Sequence, residues 1–155
     1  MAMGERLLRT VVTLVAFAGP AAADAPGVGL PHDDPHAVAL GERLYADHCA
    51  ACHGGSLEGQ VPDWRRPGPD GLLPAPPHDE TGHTWHHPDR LLFEITKHGT
   101  EAVVGGDYRS NMIGFGDVLS DAEILAVLGF IKSTWPEEIR AVHDRLNADA
   151  ALYGN

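Results

Sequence analysis

An all-α fold is predicted for this chain, and three features of the sequence predict it. Cys49-Ala50-Ala51-Cys52-His53 sets two thiols three residues apart, the spacing of one helical turn, with a histidine directly after. Ser120-Asp121-Ala122-Glu123 is a capping box, and Ile124, Leu125, Val127, Leu128, Phe130, Ile131 and Trp135 follow it at helical spacing. No strand precedes the cysteine pair and no βαβ pattern surrounds it. With 155 residues and no internal repeat, the chain is sized for one domain of about four to five helices.

The pentapeptide has the form of a haem c attachment site. Each thiol can add across one vinyl group of a haem, and sulfurs three positions apart on a helix face the same way. His53 is then placed beneath the iron and can bind it through a ring nitrogen. A disulfide would leave His53 without a purpose, and these are the only two cysteines. A zinc site would need two more ligands at matching spacing. The low aromatic content, 6%, leaves a thin polypeptide core that one covalent haem would fill out.

From the start of the chain, residues 1–23 read as a secretory signal. Arg6 and Arg9 form its basic end, Val11 to Ala18 its short apolar run, and Ala21-Ala22-Ala23 its cleavage site. The run is far shorter than the ~20 residues a membrane-spanning helix needs, so no stable membrane insertion is expected. Residues 24–34 are a Pro/Gly-rich lead-in. Asp34-Pro35 then starts a helix, with Asp34 as N-cap and Val38, Leu40, Leu44 and Tyr45 as its apolar face. Gly41 costs about 1 kcal/mol against Ala inside that helix, which points to a close neighbour. Pro88 to Gly99 reads as a short helix with proline near its start and glycine at its stop. Residues 136–155 carry Ile139, Val142 and Leu146 at helical intervals, as an amphipathic helix lying on the body.

Gly41, Tyr45 and Cys49, spaced four apart and followed by the attachment pentapeptide, resemble the first helix of class I c-type cytochromes. The capped helix after Ser120 resembles that family's C-terminal helix, and Pro88–Gly99 its middle helix. The resemblance covers residues 35–135 and implies a small cytochrome c fold around one covalent haem c. It implies that the first and last of these helices cross at Gly41 and Tyr45, with Val127 and Phe130 opposite. Met112, between the middle and C-terminal helices, is implied as the sixth iron ligand, and is the only methionine outside the signal. The family usually shows Met-Pro there, where this chain has Met112-Ile113. Pro62 sits where the family places a proline whose carbonyl accepts from the ligand histidine.

Val61 to His87 is the least familiar stretch, rich in Pro and Gly and then in histidine: His78, His83, His86 and His87, flanked by Trp64 and Trp85. Three readings stand. The histidines form a copper or other metal site. Alternatively the stretch covers the haem, with the Trp85 N–H and one histidine bonding the propionates and Arg65 or Arg66 pairing with them. Or the histidines are solvated loop residues.

The formal net charge is −11, and loss of Glu5, Arg6 and Arg9 with the signal makes it one unit more negative. That balance excludes nucleic acid and anionic membrane surfaces, and fits redox partners with a basic docking face. The resemblance implies a one-electron carrier in a periplasmic redox chain rather than an enzyme, since haem c is attached outside the bacterial cytoplasm. Two other classes remain open: a copper-handling redox module using His78 to His87, and a haem enzyme or gas sensor if Met112 does not bind iron.

Overall fold

Asp34 and Pro35 do start the first helix. In the computed structural model, which describes residues 29–153, α1 runs Pro35–His48. The Asp34 carboxylate accepts from the N–H groups of His36 at 2.8 Å and Ala37 at 3.4 Å, satisfying two of the donors that a helix start leaves open. The expected signal, 1–23, lies outside the described residues. After Cys49 comes a single turn, α2 (Ala50–His53), then a long connection ending in a 3₁₀ turn at Thr84–His86. The remaining elements are α3 (Asp89–His98), α4 (Thr100–Val104), α5 (Asp121–Thr134) and α6 (Glu137–Tyr153).

The fold is all-α. Its six α-helices among the described residues exceed the expected four to five because two of them, α2 and α4, are single short turns. The only β pairing among these residues is one isolated antiparallel bridge, Gly99 with Ile113. No helix in the described residues is long and apolar enough to cross a membrane.

The core forms where α1 crosses α5. A Cβ at Gly41 would run into the Ala126 carbonyl and lie 2.9 Å from the Phe130 Cβ, so the two helices meet almost backbone to backbone. Tyr45, one turn on, is buried, with its ring centroid 5.5 Å from that of Phe130. Phe130 therefore occupies the expected place. Ala126 also meets Gly41, and Val127 is buried in the same core cluster as Tyr45, with Ile124, Leu128, Ile131 and Trp135. Full burial of each such aliphatic side chain contributes about 1.5–3 kcal/mol. The expected capping box holds α5 in place: Glu123 N–H donates to Ser120 Oγ at 3.4 Å, and Ser120 N–H to Glu123 Oε2 at 2.8 Å.

α6 packs in part as its apolar spacing implies, with Ile139 against the core, and is fastened further by polar groups. Val142 is exposed, and the fully buried residue of this helix is His143. Its Nε2–H donates to the His87 carbonyl at 2.9 Å, and its Nδ1 lies 3.4 Å from Asn147 Nδ2. Asn147 Oδ1 accepts from Asp89 N–H at 2.7 Å, which orients the amide so that Nδ2 faces Asp89 Oδ1 at 3.1 Å. The other Asp89 oxygen accepts from Leu30 N–H at 3.2 Å. Asp89 thus ties the lead-in, the start of α3 and α6 together. Beside it the buried Lys132 ammonium meets Asp144 at 2.6 Å. A polar face can be buried here because nearly every group in it has a partner.

Burial lowers the pKa of His143, and Lys132 pushes the same way, while Asp89 and Asp144 oppose. The folded chain therefore favours neutral His143. Its contribution to stability is complete above the ordinary histidine pKa of about 6.5 and is lost as pH falls from there toward the lowered folded value. The denaturant midpoint should be lower at pH 5.5 than at pH 7.5, and His143→Gln, which keeps a donor but does not titrate, should shrink that difference. Equal pH differences in the two proteins would remove His143 from the account.

Candidate haem site

The C-terminal end of α1 delivers the attachment pentapeptide to the core. Cys49 N–H donates to the Tyr45 carbonyl at 2.8 Å, and the Tyr45 hydroxyl donates to the Gly54 carbonyl at 2.9 Å. The buried tyrosine therefore ties both ends of the pentapeptide to the helix crossing. Both thiols are free; Cys49 is half-buried and Cys52 exposed. Burial, reinforced by Cys52, pushes the Cys49 thiol up to about 11. Two unjoined thiols three residues apart suit two thioether bonds to one macrocycle.

His53 is buried, and its Nδ1 lies 2.8 Å from the Pro76 carbonyl. A carbonyl can only accept, so Nδ1 carries the hydrogen and Nε2 is left as the metal-binding nitrogen. Burial lowers the pKa of His53, with the Pro76 bond opposing, so the imidazole is held in the neutral form a metal requires. The donor set therefore fits a haem.

The acceptor is a correction: Pro62, expected in this role, is exposed, and Pro76 takes it. The physical reason is an excursion of the chain. Gln60 N–H donates to the Ala75 carbonyl at 2.9 Å and Ala75 N–H to Gln60 Oε1 at 3.0 Å, so residues 61–74 loop out and Pro76 arrives where chain counting places Pro62. Gly59 receives it: its φ is +80°, and a Cβ there would lie 2.7 Å from the Pro77 nitrogen. Leu57, also at positive φ (+68°), turns its carbonyl to accept from His78 N–H at 2.8 Å and Asp79 N–H at 3.3 Å. A bulky residue in that conformation costs on the order of 1–3 kcal/mol, so the surrounding structure holds the loop against strain.

The four loop histidines do not act as a set. His78 stacks on His53 and its Nδ1 meets Thr84 Oγ1 at 2.8 Å. His83 stacks on Trp64, with centroids 4.9 Å apart, and its buried Nδ1 has no partner. His86 stacks on Trp85, and His87 presents its ring edge-on to His83 at 5.2 Å. Among the described residues no three His, Cys, Asp or Glu side chains converge as a metal site. Trp85 is a second correction. Its indole N–H donates to the Glu80 carbonyl at 3.2 Å, so the donor expected to reach a haem propionate is already used within its own turn. Arg65 lies over the Trp64 ring at 4.0 Å and Arg66 pairs with Asp63 at 3.5 Å.

Met112 comes from a different segment, the ribbon between α4 and α5. Its N–H donates to Ser110 Oγ at 3.1 Å and its carbonyl accepts from Thr100 N–H at 3.2 Å. Phe115 and Gly116 N–H groups donate to the Thr96 and Lys97 carbonyls, both at 2.9 Å. The ribbon is thus hydrogen-bonded along the end of α3, which orders it without a proline after Met112. The methionine is half-buried and borders a cavity of about 520 Å³ that His98, Tyr108 and Arg109 also line.

Asp89, His143 and Asn147, the buried polar cluster that fastens α6 to the body, have almost no signal in the sequence. The only trace of them is the four-residue spacing of His143 and Asn147, one helical face.

No curated protein and no solved structure matches this chain. The family model for cytochrome c matches residues 38–135, from within α1 to the residue after α5. The match holds Cys49, Cys52, His53 and Met112 within one span, and it covers more than half of the chain. The chain belongs to the cytochrome c family, and it binds one covalent haem c and serves haem-based electron transfer.

Proposed function

We propose that this protein is a one-electron carrier of a bacterial periplasmic redox chain, with Cys49 and Cys52 holding the haem and His53 and Met112 as axial ligands. The observation that carries the reading is the His53 clamp: a buried neutral imidazole, its Nδ1–H spent on Pro76, on the same turn as two free thiols. The haem supplies an iron couple that takes up and releases a single electron. The chain buries the His53 imidazole, holds it through Pro76 and offers a thioether on an ordered ribbon. With His53 and Met112 both holding the iron, little in the chain would have to move between the two redox states, and a methionine ligand would raise the potential relative to a second histidine. The carrier role, rather than that of an enzyme, rests on Met112 filling the sixth position. Export through residues 1–23 places the chain where haem c is attached.

The oxidised protein should show the weak far-red sulfur-to-iron charge-transfer band. Met112→Ala should abolish it, lower the reduction potential, and let carbon monoxide bind the reduced iron. A wild-type protein that already binds carbon monoxide readily would replace the carrier reading with an open-site enzyme or sensor.

The acid excess of the chain supports a partner with a basic docking face. Exposed charges are screened beyond ~10 Å at 0.1 M salt, so electron exchange with a basic redox protein should slow steeply as salt rises, and exchange with an acidic one should speed up. Rates that ignore salt with both partners would make the contact apolar.

A further inference from the structure

We propose that His78 is a positioning residue for the haem ligand: its imidazole, stacked on that of His53, sets the plane of the ligand ring. The inference rests on the reading of His53 as the proximal ligand. The two ring centroids are 4.0 Å apart and the planes lie within 23° of parallel. The Pro76 bond restrains one edge of the His53 ring, and rocking about the Cβ–ring bond is limited only by how far that hydrogen bond can bend. A second flat group against its face removes that freedom.

His78 is itself held from several sides. Its Nδ1 meets the hydroxyl of buried Thr84 at 2.8 Å. Its N–H donates to the Leu57 carbonyl at 2.8 Å, and its carbonyl accepts from Trp135 Nε1–H at 2.7 Å. Tyr45 meets its ring edge-on at 6.1 Å. Trp135 ends α5 and Tyr45 lies in the α1–α5 crossing, so the stack is anchored to the most deeply packed part of the molecule. The positive φ of Leu57 lies in the same arrangement, as strain that brings its carbonyl to His78. An aliphatic residue would fill this space, but it would not offer a flat face whose own rotation is fixed by a hydroxyl.

The orientation of an axial histidine plane is read directly from the hyperfine-shifted haem methyl resonances of the oxidised protein. The wild type should give one set of methyl signals together with shifted ring-proton signals of the axial histidine. His78→Ala should change the methyl order or spread, or split the signals into exchanging sets. His78→Phe, which keeps a flat ring but loses the bond to Thr84, should give a pattern between those of the wild type and His78→Ala. Thr84→Val, which frees the His78 ring without removing it, should broaden or move the same methyls. If His78→Ala fails to fold, as judged by far-ultraviolet dichroism, the Thr84→Val and His78→Phe spectra decide. A folded His78→Ala protein with unchanged methyl shifts, or a Thr84→Val protein with unchanged shifts, would reduce His78 to a space-filler. Absence of shifted histidine ring signals in the wild type would instead overturn the ligation of His53.

Discussion

The near-contact of two backbones at Gly41 and Ala126 is the constraint on which the rest depends. It costs α1 the helix propensity of a side chain, and it lets α1 and α5 approach until Tyr45 packs against Phe130. Two of the ties that position the attachment turn and the residues against it hang from this crossing. Tyr45 lies at its centre and reaches Gly54 just past His53. Trp135 closes the far end of α5 and holds the His78 carbonyl. Any side chain at position 41 would separate the helices and loosen both ties at once. Overpacking at a well-packed contact typically costs about 1–3 kcal/mol, more than the roughly 1 kcal/mol a better helix former would return.

Around that crossing the chain spends its polar groups on fixing rings rather than on building a charged pocket. His53 is held by a carbonyl, His78 by a hydroxyl and two backbone bonds, and His143 by a carbonyl and an amide. All three are kept neutral mainly by burial. A neutral imidazole can bind a metal, stack closely on another, and sit in a core without an uncompensated charge. The acid excess of the sequence is correspondingly left to the surface.

Local signals carried most of this from the sequence, and distant ones did not. The cap at Asp34, the capping box at Ser120 and the apolar period of α5 each depend on residues within a few positions of one another, and each is where the sequence puts it. The haem-attachment turn is equally local. The acceptor for His53 is not: it lies 23 residues away, past an excursion whose closure by Gln60 and Ala75 leaves no periodic trace. Chain counting therefore picked Pro62. Part of the α6 face is hidden for a related reason. Ile139 packs as its apolar spacing implies, but Val142 is exposed, and the buried His143 is acceptable because His87 and Asp89, far off in sequence, supply its partners. The indole of Trp85 was assigned to a propionate because its use by Glu80, five residues back, has no signature in composition.

The central claim is that one haem is joined to this chain through the turn that holds Cys49, Cys52 and His53. It is tested most directly by mass spectrometry of the denatured, acid-extracted and proteolysed protein. The account predicts one haem mass retained per chain, carried on the peptide that contains Cys49 and Cys52, and reduced to at most one thioether in Cys52→Ala. Haem that leaves the protein on acid–organic extraction, with both cysteines recovered as free thiols, would contradict it.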